Sequence, residues 1–340
     1  MGPSWHGAAP GPVPSGACRR SAAPSGKNLL VSDDATREFL AELIDDAALF
    51  PPARLAMADA LRGHAAAAAG GEFWIAGRFV VPASRLLEMA AALDDAPAPL
   101  GATVVLDAPA ADAAAFADLA RAARAVAGRV AVESVELPLR RLPGETDDDR
   151  CTVLAEALQG SFASPPAAYV EVPAGGDAGE EALLALHRAR SRGAGVAAKI
   201  RCGGQRPGDV PSAENVAHFV WVAARLGVPF KATAGLHHAV ARIDADGTFA
   251  HGYLNVIGGA ILAHARGLDR ETLGALACER DPAAFALDAR RFVWNGIGAD
   301  AREIAQARSA FVHSYGSCSF DEPVADLRAL GMLPPATAPR

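Results

Sequence analysis

Lysine is nearly missing from this chain: of its 32 basic residues only three are lysines, Lys27, Lys199 and Lys231, and the rest are arginines. Cysteine is also sparse. The five, Cys18, Cys151, Cys202, Cys278 and Cys318, are odd in number and show no CxxC spacing. Neither a disulfide framework nor a cysteine zinc site is expected, and a reduced cytoplasm fits best. No uninterrupted apolar run reaches membrane-spanning length, and the first residues lack the charged-then-apolar layout of a signal peptide, so no membrane association is expected. The formal charge is −7 with a pI near 5.7, and no basic patch carries interleaved aromatics, which argues against a nucleic-acid partner. No predicted strand leads into GxGxxG or GxxxxGK[ST], so the nucleotide-binding α/β folds lose support and no cofactor is expected.

What is present is a long, 51% hydrophobic chain of 340 residues, enough for a sizeable core. Residues 1–30, rich in Gly, Pro, Ser and Ala without periodicity, read as a disordered leader. Over residues 31–330 the pattern alternates strand and helix as one domain, and residues 331–340 read as a fraying tail after a short helix near Val324–Leu330. Eight strands are expected: Leu43–Phe50, Phe73–Val81, Thr103–Asp107, Val130–Leu137, Tyr169–Val172, the two runs ending near Lys199 and Lys231, and Arg291–Gly296. Eight strands separated by helices match an α/β (β/α)8 TIM barrel better than an open doubly wound sheet.

Two stretches then stand out, Val196-Ala-Ala-Lys199-Ile-Arg201-Cys-Gly203-Gly204 and Pro229-Phe-Lys231-Ala-Thr233-Ala-Gly235-Leu-His237-His238. Each is a short apolar run carrying a lysine toward its carboxyl end, as in a buried parallel strand. In a chain that uses arginine wherever a cation suffices, two such lysines suggest chemistry that a guanidinium does not perform. A desolvated amine loses its proton and attacks a carbonyl to form a Schiff base. Other polar residues fall at predicted strand ends: Asp45, Asp46, Arg78, Asp107, Glu136, Glu171, Arg201 and Asn295. In a barrel such ends share one mouth, although polar residues are also comfortable there simply because water is near. Two neighbouring ammonium groups would disfavour each other's charge, and the expectation is a lysine pKa lowered toward ~7–8. Glu136 and Asp107 are candidates for proton transfer, or only neutralise the lysines, and Arg201 is placed to hold a carboxylate or another anion.

The order of these motifs resembles deoxyribose-phosphate aldolase and related class I aldolases. Leu43-Ile44-Asp45-Asp46-Ala-Ala-Leu49 is similar to that family's first-strand acid motif, Gly77-Arg78-Phe79-Val80 to its second strand, and Glu133-Ser-Val-Glu136-Leu to its fourth. Phe230-Lys231-Ala-Thr-Ala-Gly235 is similar to its lysine-bearing seventh strand. The resemblance implies a (β/α)8 barrel, a Schiff-base lysine at Lys199, a second lysine at Lys231 and a proton relay at Glu136. The chain departs from the family where Ile200, Arg201 and Cys202 replace a hydroxyl-rich segment, and where Ala234-Gly235-Leu236 replaces paired glycines. A phosphorylated sugar is therefore not carried over as substrate. The segments Phe230–His238 and His251-Gly-Tyr-Leu-Asn255 are also similar to a bacterial family that adds no function.

His237, His238 and His251, with Asp244 and Asp246 between them, form a second cluster, and Asn255 opens the following helix. Asp244-Ala-Asp246-Gly247-Thr reads as the turn of a small hairpin at the barrel mouth. Substrate contact is expected of Asp45, Asp46, Arg78, Glu171, Arg201, His237, His238, His251, Asn255 and Asn295, and no metal. The sequence thus points to a Schiff-base lyase or aldolase acting on a small carbonyl compound, an anionic one included, and leaves both a monomer and a homo-oligomer open. The alternatives are a metal-dependent lyase or hydrolase built on the histidines and strand-end carboxylates, and a non-catalytic barrel that binds a small anion or a partner protein.

Overall fold

The first helix, Ala35–Leu40, begins where Asp34 accepts a hydrogen bond from the Arg37 N–H at 3.1 Å, and residues 41–43 link it to the first strand. The computed structural model describes residues 33–93, 98–108, 111–139, 144–204 and 206–335. The expected leader 1–30, with Lys27 and Cys18, lies outside the described residues.

Eight parallel strands close into a barrel: β1 (Ile44–Asp46), β2 (Ala76–Pro82), β3 (Leu100–Val105), β4 (Val130–Pro138), β5 (Ala167–Glu171), β6 (Val196–Arg201), β7 (Phe230–Thr233) and β8 (Val312–Ser317). Each pairs with its sequence neighbour, and β8 pairs with both β7 and β1 to complete the ring. The connecting helices bury one face against the strands. The helix Ala113–Val126, for example, buries Phe116, Leu119, Ala120 and Val126, the spacing that faces a helix toward a sheet. In β4, Val135 and Leu137 point outward into this apolar layer while Ser134 and Glu136 point into the barrel, so buried polar side chains collect in its interior.

The last strand is not the one expected. Arg291–Trp294 is extended, but it is the middle of a three-stranded antiparallel sheet with Phe285–Leu287 and Ile297–Asp300. That sheet packs beside the helix leading into β1, with the Phe39 and Phe292 ring centroids 4.9 Å apart. Barrel closure falls instead to Val312–Ser317, after the helix Ala301–Ala310. Past the final helix, Asp321–Ala329, the chain stays packed, since Met332 and Leu333 are buried rather than frayed; residues 336–340 lie outside the described residues. Among the described residues no helix is long and apolar enough to cross a membrane.

Candidate active site

The two lysines are register partners on β6 and β7, and three carboxylates from three other strands surround them. Lys199 Nζ lies 2.7 Å from Glu136 Oε2 and 2.9 Å from Glu171 Oε2. Lys231 Nζ lies 2.5 Å from Asp45 Oδ2 and 2.8 Å from Glu136 Oε1. Glu136 therefore bridges both ammonium groups with its two oxygens. Asp45 also accepts from Ser314 Oγ at 2.8 Å and from the Arg78 N–H at 2.9 Å. The two lysines differ in access. Lys231 is 0% exposed and its partner Asp45 1%, whereas Lys199 is 7% exposed and Glu171, beside it, 33%.

Irregular pairing helps build this layer. The β1–β2 register slips so that Gly77 and Arg78 together face Asp45, and the β8–β7 register slips so that His313 and Ser314 together face Lys231. A third slip, between β3 and β4, inserts Glu133. Such bulges re-aim side chains that a regular strand would send outward. Gly77 is required at the first: a Cβ there would meet Asp45 Oδ1 at 2.5 Å, blocking the carboxylate's approach to the backbone. The loops after β6 and β7 also touch through backbone, since a Cβ on Gly235, whose φ is 73°, would meet the Gly203 Cα at 2.8 Å.

Electrostatics overturn the expected lysine pKa. Burial alone would lower Lys199, but Glu136 and Glu171 outweigh it and hold the amine above its ordinary value. Burial likewise opposes the charge on Lys231, and Asp45 and Glu136 raise it further still. The mutual repulsion anticipated for the pair is dominated by carboxylates that the barrel brings between and around them. Glu136 responds in the opposite sense: burial favours its neutral form, yet Lys199 and Lys231 bring it down to about 2. Asp45 is lowered in the same way, with Lys231 and then Arg78 overcoming the effect of burial. Both lysines are thus ammonium ions in the resting protein.

Several expected members stand apart. Asp46, one residue beyond Asp45, points out of the barrel to His64 Nδ1 at 3.2 Å, as strand alternation requires. Asp107 is exposed and accepts from Ser84 N and Oγ at 3.1 and 2.5 Å, with no contact to either lysine. Arg78 reaches down the barrel, away from the strands' carboxyl ends, and pairs with Glu133 at 2.8 Å. Asn295 is in the turn of the three-stranded sheet with φ 43°, bonded to Glu279 and remote from the barrel mouth because its strand is not a barrel strand. Arg201 is half exposed at the end of β6, 4.0 Å from Glu171 Oε2, and borders a cavity of about 350 Å³ with Gly204, Arg206 and Asp209.

The histidines do not converge. His237 Nδ1 contacts Glu322 and His238 Nδ1 contacts Asp326, at 3.1 and 3.0 Å, both against the final helix. His251 is buried, with Nε2 2.8 Å from the Pro211 carbonyl oxygen, and burial lowers its pKa despite that bond. Asn255 is a buried brace: its Oδ1 accepts from Ala241 N and its Nδ2 donates to the Leu276 and Glu279 carbonyls. The small hairpin is present, Arg242–Ile243 against Phe249–Ala250. Among the described residues no group of three or more His, Cys, Asp or Glu is arranged to hold a metal ion.

Three neighbours were missed in the sequence. Ser314 and His313 sit on the unrecognised β8, and Tyr169, at the start of an expected strand, lies with its ring centroid 5.5 Å from Lys231 Nζ and its hydroxyl 2.8 Å from His313 Nδ1. Burial and nearby Arg308, Arg78 and Arg190 bring His313 down to about 4, so it is neutral and able to accept from the tyrosine. The chain matches no known family profile, and no curated protein matches it either.

Proposed function

We propose that this barrel is a Schiff-base lyase or aldolase-like enzyme in which Lys199 attacks a small carbonyl compound. The observation that carries the reading is Lys199 itself: a lysine with slight solvent access at the carboxyl end of β6, bonded to Glu136 and Glu171 and beside a second, fully enclosed lysine. TIM-barrel chemistry is concentrated at this end of the strands, and paired acids and amines are what carbinolamine formation and collapse consume. The resemblance to class I aldolases points the same way.

The charge state sets the first step. An ordinary lysine, pKa about 10.4, holds only about one amine in 2,500 unprotonated at pH 7, and Lys199 holds fewer. Its proton must therefore leave as the carbonyl arrives. Glu171 is the acceptor that reaches solvent, while Glu136 stays ionised between the two ammonium groups and orients both. With that proton on Glu171, the Lys199 amine adds to the carbonyl carbon as the C=O π pair moves onto oxygen. The oxygen then takes the proton held by Glu171 and a second one released by the adding nitrogen, and leaves as water with the pair of the C–O bond, which gives the protonated imine. Lys231, enclosed and charged, serves as the fixed cation facing the developing negative charge. Arg201 at the rim is placed for an anionic end of the substrate. We assign the protein to a reducing compartment such as the cytoplasm, in keeping with free Cys151, Cys202, Cys278 and Cys318.

The test is borohydride trapping against a panel of small aldehydes and ketones, followed by peptide mass mapping. Lys199 is expected to carry the reduced adduct, and Lys199→Arg, which keeps the charge and loses the nucleophile, to abolish it. Labelling of Lys231 alone would exchange the two roles. Absence of any label with a carbonyl compound that demonstrably binds would end the Schiff-base reading.

A further inference from the structure

A second reactive arrangement lies on the same face of the barrel, outside the lysine layer. Cys318 is the first residue after β8, and His237 lies in the segment following β7. The Cys318 Sγ is 3.8 Å from His237 Nε2 and 4.0 Å from Nδ1. The same Nδ1 is 3.1 Å from Glu322 Oε2 on the helix Asp321–Ala329. The sulfur thus lies within 4.0 Å of both ring nitrogens, slightly nearer Nε2, while the carboxylate engages Nδ1. Thiol, imidazole and carboxylate are in contact in that order, the groups by which an imidazole activates a nucleophile.

The surroundings hold this order in place. Asp326, one turn further along the helix, takes the Ala239 N–H at 2.9 Å and His238 Nδ1 at 3.0 Å, fixing the loop that carries His237. His237 keeps 26% of its side chain exposed and Cys318 is half-buried, so a small reagent can reach them. Contact with the Cys318 sulfur, opposed by burial and aided by Glu322, holds the imidazole above its ordinary pKa. The other described cysteines lack one condition or another. Cys151 and Cys202 are buried, which pushes each thiol up to about 12. Cys278 is exposed at the end of its helix, with no imidazole contact among the described residues.

We propose that Cys318, His237 and Glu322 form a nucleophilic thiol site at the barrel mouth, modified by soft carbon electrophiles. His237 Nε2 takes the thiol proton, and the sulfur's electron pair forms the new S–C bond. The electrophile's leaving group departs with the pair of the bond that breaks, and the proton stays on an imidazolium whose Nδ1–H faces Glu322. With iodoacetamide the C–I bond breaks and iodide leaves. The inference is independent of the Schiff-base reading, because none of these residues contacts either lysine.

The experiment uses the intact protein and limiting iodoacetamide at pH 7, with the alkylation rate of each cysteine followed by peptide mass spectrometry. A free thiol is only a few per cent thiolate at this pH, so an imidazole partner should raise the rate about tenfold. Folding ordinarily slows a half-buried thiol. Native Cys318 is therefore expected to react about tenfold faster than the same residue in urea and faster than native Cys278. In His237→Ala the advantage should vanish, and in Glu322→Gln it should shrink. A native Cys318 no faster than in urea would overturn the proposal, a comparison that needs no variant. So would a folded His237→Ala protein that keeps the full advantage.

Discussion

Replacing Lys231 by methionine tests the charge layer most directly, because methionine keeps an unbranched side chain as far as the ε position and removes the ammonium group. The wild-type ammonium is wholly enclosed and is held by Asp45 at 2.5 Å and Glu136 at 2.8 Å. Without it both carboxylates stay buried, although Asp45 keeps the Ser314 hydroxyl and the Arg78 N–H, and Glu136 keeps Lys199. Removing one partner of a buried ion pair costs about 3–5 kcal/mol. For a fold of about 300 ordered residues, at about 2.1 cal/mol/K each, this corresponds to a loss of roughly 5–8 °C in Tm. The pH dependence has a defined sign. In the wild type Glu136 is depressed to about 2, so its contribution is present above the unfolded-state pKa of 4.5 and is lost as pH falls between those values. In the variant, burial without Lys231 moves the carboxyl pKa values upward, so the penalty is present at neutral pH and is relieved as acid supplies the missing proton. The gap between the two proteins should therefore be widest near pH 7 and narrow below about 4.5. Thermal melts followed by circular dichroism at pH 7 and pH 4 measure it. Melting points within about 1 °C of each other at pH 7, or a gap that fails to narrow in acid, would refute the reasoning.

Other outcomes follow from the same geometry. Glu171→Gln removes one of the two carboxylates that raise Lys199, so the pH midpoint of borohydride-trapped adduct formation should move lower, while the plateau rate falls for want of the proton acceptor; movement to higher pH would contradict the assigned partner. Asn255→Ala strips hydrogen bonds from the Ala241 N–H and the Leu276 and Glu279 carbonyls, and is expected to cost about 2–4 kcal/mol in urea denaturation with adduct formation retained in the folded fraction. Lys231→Arg should resemble the methionine variant in stability rather than the wild type, because a guanidinium overfills a site with no exposed surface; an unchanged Tm would show that the barrel interior has slack.

The fold was legible mainly where strands are apolar. Ala167–Glu171 and Val196–Arg201 carry short apolar runs of the kind that a strand covered on both faces buries, and helices such as Ala113–Val126 show the matching apolar stripe. The eighth strand escaped this rule. Val312-His-Ser-Tyr-Gly-Ser has no apolar run, because the residues it turns into the barrel, His313 and Ser314, are polar partners of Tyr169 and Asp45. Its register against β7 also slips between Val312 and Tyr315, which breaks the two-residue period. Meanwhile Phe292-Val-Trp294 has the composition of a strand and is one, but composition does not say which sheet a strand joins, and Asn295 was placed at the mouth with it.

Within the site, scarcity identified the lysines and a strand-end position identified Glu136 and Glu171, because each of these reflects something local. Which of two adjacent acids faces inward does not. Asp45 and Asp46 differ by one position, and the bulge opposite them, made possible by the absence of a side chain at Gly77, fixes Asp45 as the inner one. The lysine charge state was further out of reach, since it depends on how many carboxylates converge and from which strands. Two neighbouring amines considered alone repel and lose protons; the same amines facing three carboxylates keep them. The surplus carboxylate is the informative one. Lys231 and the pair Asp45 and Glu136 form a closed unit, which leaves Glu171, the most exposed of the three, as the group free to exchange a proton with whatever enters over Lys199. On the proposed Schiff-base reading, a site that holds its nucleophile protonated until a carbonyl arrives limits reaction with stray electrophiles, and the Lys199–Glu171 contact, rather than the lysine pair, is the place where substrate binding would act.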